Sequence, residues 1–301
     1  MTDFYKSPPG PVTRVGDMPD LLAQAETFLH DQARLLDRYR FEALFREGPR
    51  ERVLDTLRCY RNPDGGFGNA LEPDLRGAAS QPEPVEIAFW ILDELDAFDD
   101  PMVLTACDYL ASITTPDGGV PFVLPSVRST RRAPWWETPD DPPGHLIPTA
   151  SLAGLLHKHG ITHPWLEGAT RFCWERIGQV KETTPYEARA IVPFLELVPD
   201  RERAEAEFTR LKGAILDTVT FDPEASGDAH FPLDFAPAPS RLPLFEPETI
   251  ERHLDALEGM LARDGGVVPN WPIWTPVVGH EWAGYLTVHR LKTLHAYGRL
   301  P

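Results

Sequence analysis

The chain has 301 residues, with 29 Lys+Arg against 46 Asp+Glu, a formal net charge of −17. That balance disfavours a nucleic-acid partner, because phosphate binding is driven by clustered Lys and Arg, and the one compact basic group, Arg128, Arg131 and Arg132, is followed closely by acids. With 42% hydrophobic residues, 25% charged and no apolar run of roughly 18 residues, the composition is that of a globular protein without a transmembrane span.

In chain order, residues 1–19 have no apolar core and read as a flexible N-terminal tail rather than a signal peptide. Residues 20–301 then form one domain in which helical periodicity predicts ten segments. They are Leu21–Phe45, Arg50–Tyr60, Val85–Ala97, Met102–Ile113, Ile147–His157, Trp165–Ile177, Tyr186–Val198, Arg201–Val219, Glu248–Ala262 and Glu281–Tyr297. No segment alternates with period two, so no strand is predicted. Proline, 32 residues in all, clusters between the segments and marks long loops at Asn62–Pro84, Thr115–Pro148 and Phe221–Pro247. Cys59, Cys107 and Cys173 have no Cys-x-x-Cys pairing. Each falls in a helix-like apolar pattern, which predicts buried thiols in a reducing, cytoplasmic setting.

Two kinds of helix alternate. Val85–Leu95, Ile147–Leu156 and Ala188–Val198 are apolar almost all round; their neighbours are amphipathic. An all-round apolar helix is buried on several sides, so the alternation predicts an inner ring wrapped by an outer one. Asp-Gly-Gly recurs at Asp64, Asp117 and Asp264, each after an amphipathic segment, and reads as a repeated turn whose Asp bonds nearby backbone. Strict alternation also requires an inner element between Val219 and Glu248: a short helix or a stretch of extended chain.

The turn Tyr60–Gly68 (YRNPDGGFG), the later PDGGV and RDGGV, and the Pro-Thr-Ala of Pro148–Ala150 resemble the repeat of squalene and terpene cyclases and protein prenyltransferase β subunits. They are also similar to bacterial prenyltransferase/squalene-oxidase-repeat proteins. The resemblance implies an all-α fold, an α/α toroid of about five to six helix pairs with a central cavity. It further implies an isoprenoid or other small apolar partner, and possible acid-initiated cyclisation. The Asp-x-Asp-Asp of class II cyclases is missing: His145-Leu146-Ile147-Pro148 fills its place. No Cys joins His145 and His280 to complete a zinc site, and there is no Asp-Asp-x-x-Asp string for magnesium diphosphate. No cofactor or metal is therefore expected, and the oligomeric state is left open.

The acids that remain as catalytic candidates are Glu86 and Glu83 at the start of the first apolar helix, and Asp140 and Asp141 in the long second loop. A buried carboxyl keeps its proton at neutral pH because desolvation disfavours the anion. Glu72, Asp74 and Glu281 are further site candidates, with a salt bridge to Arg76 as the structural alternative for the first two. Trp135, Trp136, Trp271 and Trp274 precede His145 and His280 in the two loops that lead to inner helices. Aromatic faces shield carbocations and also stack on sugars, so a glycan-active hydrolase or lyase with paired carboxylates is the first alternative. A non-catalytic toroid that binds a protein partner is the second.

Overall fold

The computed structural model describes residues 20–301; the predicted N-terminal tail lies outside them. The described chain is all-α, with twelve α-helices, one 3₁₀ turn at Pro125–Ser129 and only isolated β-bridges. Among the described residues no helix is long and apolar enough to cross a membrane.

The first predicted helix is two. α1 (Leu21–Gln32) and α2 (Leu35–Phe45) are separated by Ala33 and Arg34, both in extended conformation. The apolar periodicity runs through the break; tertiary bonds cause it. Arg34 turns away to donate to the Ala70 and Leu71 carbonyls and to Asp37. The succeeding helices are α3 (Arg50–Arg58), α4 (Pro82–Glu94), α5 (Met102–Ser112), α6 (Leu146–Lys158), α7 (Pro164–Gln179), α8 (Pro185–Leu197) and α9 (Arg201–Leu216). A four-residue α10 (Pro232–Phe235) fills the interval where alternation demanded an inner element. α11 (Pro247–Asp264) and α12 (Pro276–Ala296) close the chain, α12 starting earlier than predicted.

Burial follows the two helix types. α4 and α6 each bury ten of thirteen residues, whereas α9 buries four of sixteen. The even-numbered helices meet in a closed order: α4 packs on α6, α6 on α8, α8 on α10, and α12 on α2. Two ion pairs complete the circuit, Arg290 of α12 with Asp234 of α10, and Arg40 of α2 with Glu94 of α4.

The Asp-Gly-Gly turns are alike. The first glycine of each has positive φ (89° at Gly65, 95° at Gly118, 72° at Gly265), where a side chain is strained. The second has no room for one: a Cβ would stand 2.6 Å from Ser80 at Gly66 and 2.6 Å from the Phe172 ring at Gly119. Asp64 and Asp117 accept from the N–H of Gly66 and Gly119, as turn residues should. Asp264 instead ends α11. The residue after the second and third turns is pinned to an inner helix: Val120 N–H donates to Thr149 Oγ1 (3.0 Å) and Val267 N–H to Thr287 Oγ1 (2.9 Å).

Cys107 and Cys173 are buried as expected, but Cys59 is exposed, because it caps α3 on the amphipathic helix's wet side. Gly119→Ala is expected to destabilise the protein by about 1–3 kcal/mol, the cost of overpacking against an aromatic ring already in place; the midpoint of urea unfolding checks it.

Candidate functional site

Carboxylates from one loop and one helix converge where α4 begins. Gln81 caps α4, Pro82 opens it, and Glu83 and Glu86 lie one turn apart on it, so both project from one face. The loop before it carries Glu72 and Asp74. All four are buried, from 2% exposed at Glu86 to 8% at Glu83. The loop backbone is strained just upstream, with Asn69 and Ala70 both at positive φ (55° and 63°). Such a conformation costs of order 1–3 kcal/mol and persists only where surrounding contacts over-determine it. Here the Arg34 guanidinium grips the carbonyls of Ala70 and Leu71.

Asp74 is a bracket. Its carboxylate accepts from Trp274 Nε1 (2.6 Å) and Trp282 Nε1 (2.9 Å), tying the loop to the C-terminal segment. Burial raises its affinity for a proton, and the two indole bonds and Arg76 oppose that. Arg76 itself pairs with Glu281 of α12, so the expected salt bridge from Arg76 to Glu72 or Asp74 is replaced by one to the last helix.

The other three acids bind protons more tightly than ordinary carboxyls. Burial first, then the Asp74 carboxylate, pushes Glu72 well above the usual range, against the pull of the Leu75 and Asp74 backbone N–H groups and Arg34. Burial first, then Glu86, does the same to Glu83. Burial lifts Glu86 to about 7, after bonds from Ser151 and Glu83 and the Arg189 charge have pulled it down. Ser151 Oγ in turn accepts from Trp90 Nε1 (3.2 Å). Glu83 Oε1 and Glu72 Oε2 are buried with no hydrogen-bond partner among the described residues.

The remaining sequence candidates fall elsewhere. Asp140 is 94% exposed at its side chain and pairs with Arg128, and Asp141 is exposed, so neither reaches the acid pair; their proline-rich loop runs over the surface. Trp136 is buried against Phe122 (ring centroids 4.9 Å apart) in a small cluster with Leu75 and Val127 that pins two loops together. Trp135 is 46% exposed. His145 caps α6 by accepting from Ile147 N–H, and burial lowers its pKa, which disfavours a cation there. His280 is exposed and outside the cluster. Trp271 packs edge-on against Trp282, which continues to Tyr285. No group of three or more His, Cys, Asp or Glu among the described residues is arranged to hold a metal ion.

Sequence reasoning missed Arg189, Ser151, Trp282 and His289. Arg189 had a signal: it is the one charged residue between Glu187 and Glu196 in an otherwise apolar helix, the same pattern that singled out Glu86. Trp282 and His289 had none, because α12 carries polar residues on all sides.

These features define an all-helical protein with a buried acid pair on a largely apolar helix. No family model matches the chain, and no curated protein matches it. Its fold is similar to that of a crystal structure of a protein from Actinoplanes, with TM-score 0.57 and 16% identity, over 94% of this chain and 100% of that one.

The acid pair makes stability depend on pH with a defined sign. Glu86 has its folded-state pKa raised from 4.5 to about 7, so the folded state binds the extra proton and loses stability as pH rises through that window. Glu83 acts in the same direction. Glu83→Gln is expected to flatten this fall relative to the wild-type chain; thermal melts across the window check it.

Proposed function

We propose that the protein binds a small molecule with an apolar body in its interior and acts on it by proton donation from the Glu83–Glu86 pair. The burial of these two carboxyls one turn apart on the same apolar helix is the observation that carries the reading. Glu83 holds the proton in reserve, and Glu86, with a pKa of about 7, is poised to give one and be reloaded. The Trp271–Trp282–Tyr285 run and Trp90 supply aromatic faces near the acids, suited to shielding developing positive charge. A terpene-cyclase-like or prenyltransferase-like activity fits the repeat and this chemistry, with the acid supplied from Glu86 rather than from an Asp-x-Asp-Asp string.

The glycan alternative fits the pair less well. Glycosidase carboxylates flank the scissile bond at roughly 5 Å or more. Glu83 and Glu86 project from one face of one helix, one turn apart, which does not set them on either side of a sugar linkage. The protein-binding alternative has no use for convergent protonated acids in the interior.

The test is turnover of neutral isoprenoid alkenes and epoxides in deuterated water, read as deuterium in the product. Glu86→Gln is expected to lower the rate by roughly a hundredfold or more, the worth of a positioned general acid. Full turnover by Glu86→Gln removes the assignment.

A further inference from the structure

Buried polar atoms without partners collect around the loop that carries Glu72. The first belongs to Arg34, the residue that precedes α2, whose side chain is only 9% exposed. Its Nε donates to Asp37 Oδ2 at 2.9 Å, and its Nη1 donates to the Leu71 carbonyl at 3.0 Å and the Ala70 carbonyl at 3.3 Å. Nη2 is buried and bonds nothing among the described residues. The Leu71 carbonyl belongs to the peptide unit that leads into Glu72, so the guanidinium lies against the backbone of that acid. Glu72 is 4% exposed, and its Oε2 is the second unpartnered atom. Arg34 and Glu72 nonetheless form no ion pair; the acid that Arg34 reaches is Asp37. The third atom is Thr275 Oγ1, at the residue that precedes α12. It follows Trp274, whose indole is bonded to Asp74, two residues after Glu72. The helices α2 and α12 also meet here: a Cβ on Gly284 would stand 2.6 Å from the side chain of Ala33, the neighbour of Arg34.

Charge explains what Arg34 lacks. Asp37 is shared, because Arg40 bonds its other oxygen at 2.8 Å. Arg40 in turn holds Glu94, and Lys292 reaches Glu94 at 3.3 Å. Three cations in one connected chain thus divide two anions, and Arg34 stands at the more buried end. A buried, charged N–H without an acceptor is strongly unfavourable. Glu72 does not supply that acceptor, and Asp74 is committed to two indoles. The group that fits is narrowly defined. A hydrocarbon offers no acceptor. An anion satisfies Arg34 but enters a loop that already carries two carboxyls. A hydroxyl accepts from Arg34 Nη2 while its O–H donates to Glu72 Oε2; where Glu72 carries a proton, the two lone pairs of the hydroxyl accept from both. Burial pushes Glu72 toward the protonated form, and a hydroxyl serves in either state.

We propose that Arg34 Nη2 and Glu72 Oε2 seat a hydroxyl group of the substrate, and hence that the molecule bound is an alcohol with an otherwise apolar body. This names the substrate class for the reading above and rests on it. The seat is organised before the ligand arrives: three bonds fix the guanidinium, and two of them hold the turn at Asn69 and Ala70 in its left-handed form. A water molecule has the same hydrogen-bonding chemistry, and a bound alcohol takes its place without loss of those bonds. A hydrocarbon displaces the water and replaces none of them, so the seat selects an alcohol over the alkene of the same skeleton.

The test is binding of geraniol, farnesol and geranylgeraniol to the full chain, each beside the hydrocarbon of the same skeleton, read by titration calorimetry. At least one alcohol is expected to bind roughly ten- to a hundredfold more tightly than its hydrocarbon, the range for a hydrogen bond to a charged group. Glu72→Leu is expected to erase most of that preference and to leave hydrocarbon affinity unchanged, which also shows that the variant is folded. Arg34→Lys, which keeps the charge but not the Nη2 donor, is expected to lose the preference in the same way. Glu72→Gln, which keeps an acceptor and a donor, is expected to retain it. Equal affinity for alcohol and hydrocarbon in the wild-type chain overturns the proposal and leaves a seat for water only. No saturable binding of any alcohol, or an undiminished preference in Glu72→Leu, overturns it as well. The proton-donor reading fails separately, when Glu86→Gln turns over at the full rate while the preference for alcohol stands.

Discussion

The Arg40 guanidinium is fully buried, and the arrangement of the interior depends on it. It donates to Asp37 Oδ1 at 2.8 Å within α2 and to both carboxylate oxygens of Glu94 at the end of α4, at 2.9 and 2.7 Å. Lys292 of α12 reaches the same Glu94 (3.3 Å), and the Tyr285 ring lies 4.6 Å from the Arg40 carbon. Helices that are far apart in sequence, α2, α4 and α12, meet at this one charge. Burial alone would raise Glu94; Arg40 and Lys292 instead hold it at about 2. A buried pair of this kind gives little net stability over an apolar replacement, but removing one partner strands the other at a cost of about 3–5 kcal/mol. Its role is to set which helices are neighbours, and hence that α4 presents its acids beside α12.

That placement explains the contrast between the two ends of α4. At its C-terminal end Glu94 is ionised because two cations face it. At its N-terminal end Glu83 and Glu86 lie where no cation makes contact, and Asp74 adds negative charge beside Glu72. The same residue type on the same helix therefore meets opposite surroundings: one anion joins three helices, and two acids bind protons more tightly than usual. Environment, not identity, makes the difference.

The helical class, the repeat and the residues Glu83 and Glu86 were legible in the sequence because each leaves a local trace. Glycine pairs mark turns where no other residue fits, and a lone acid in an apolar helix stands out against its neighbours. The break at Ala33–Arg34 was not legible, because long-range bonds to Ala70 and Leu71 impose it on a continuous apolar pattern. The roles of Asp74 and Glu281 were equally hidden. Asp74 is bonded to residues 200 and 208 positions away, a relation that no spacing in the chain encodes. Asp140 was the converse case: an acid near tryptophans in sequence that the proline-rich loop carries to the surface and to Arg128.

The strained turn at Asn69 and Ala70 gains its meaning from these long-range bonds. Unsupported, a loop with two residues in the left-handed region would relax. Arg34 holds its carbonyls from one side, and the two tryptophans hold Asp74 from the other. Glu72 lies between the two grips and is carried into a position where it raises the proton affinity of Glu83. Residues from the beginning and the end of the chain thus combine to force one carboxyl against another. A fold stabilised chiefly by apolar helices spends part of that stability on burying carboxyls, the condition under which a carboxyl keeps a proton that it can later give away.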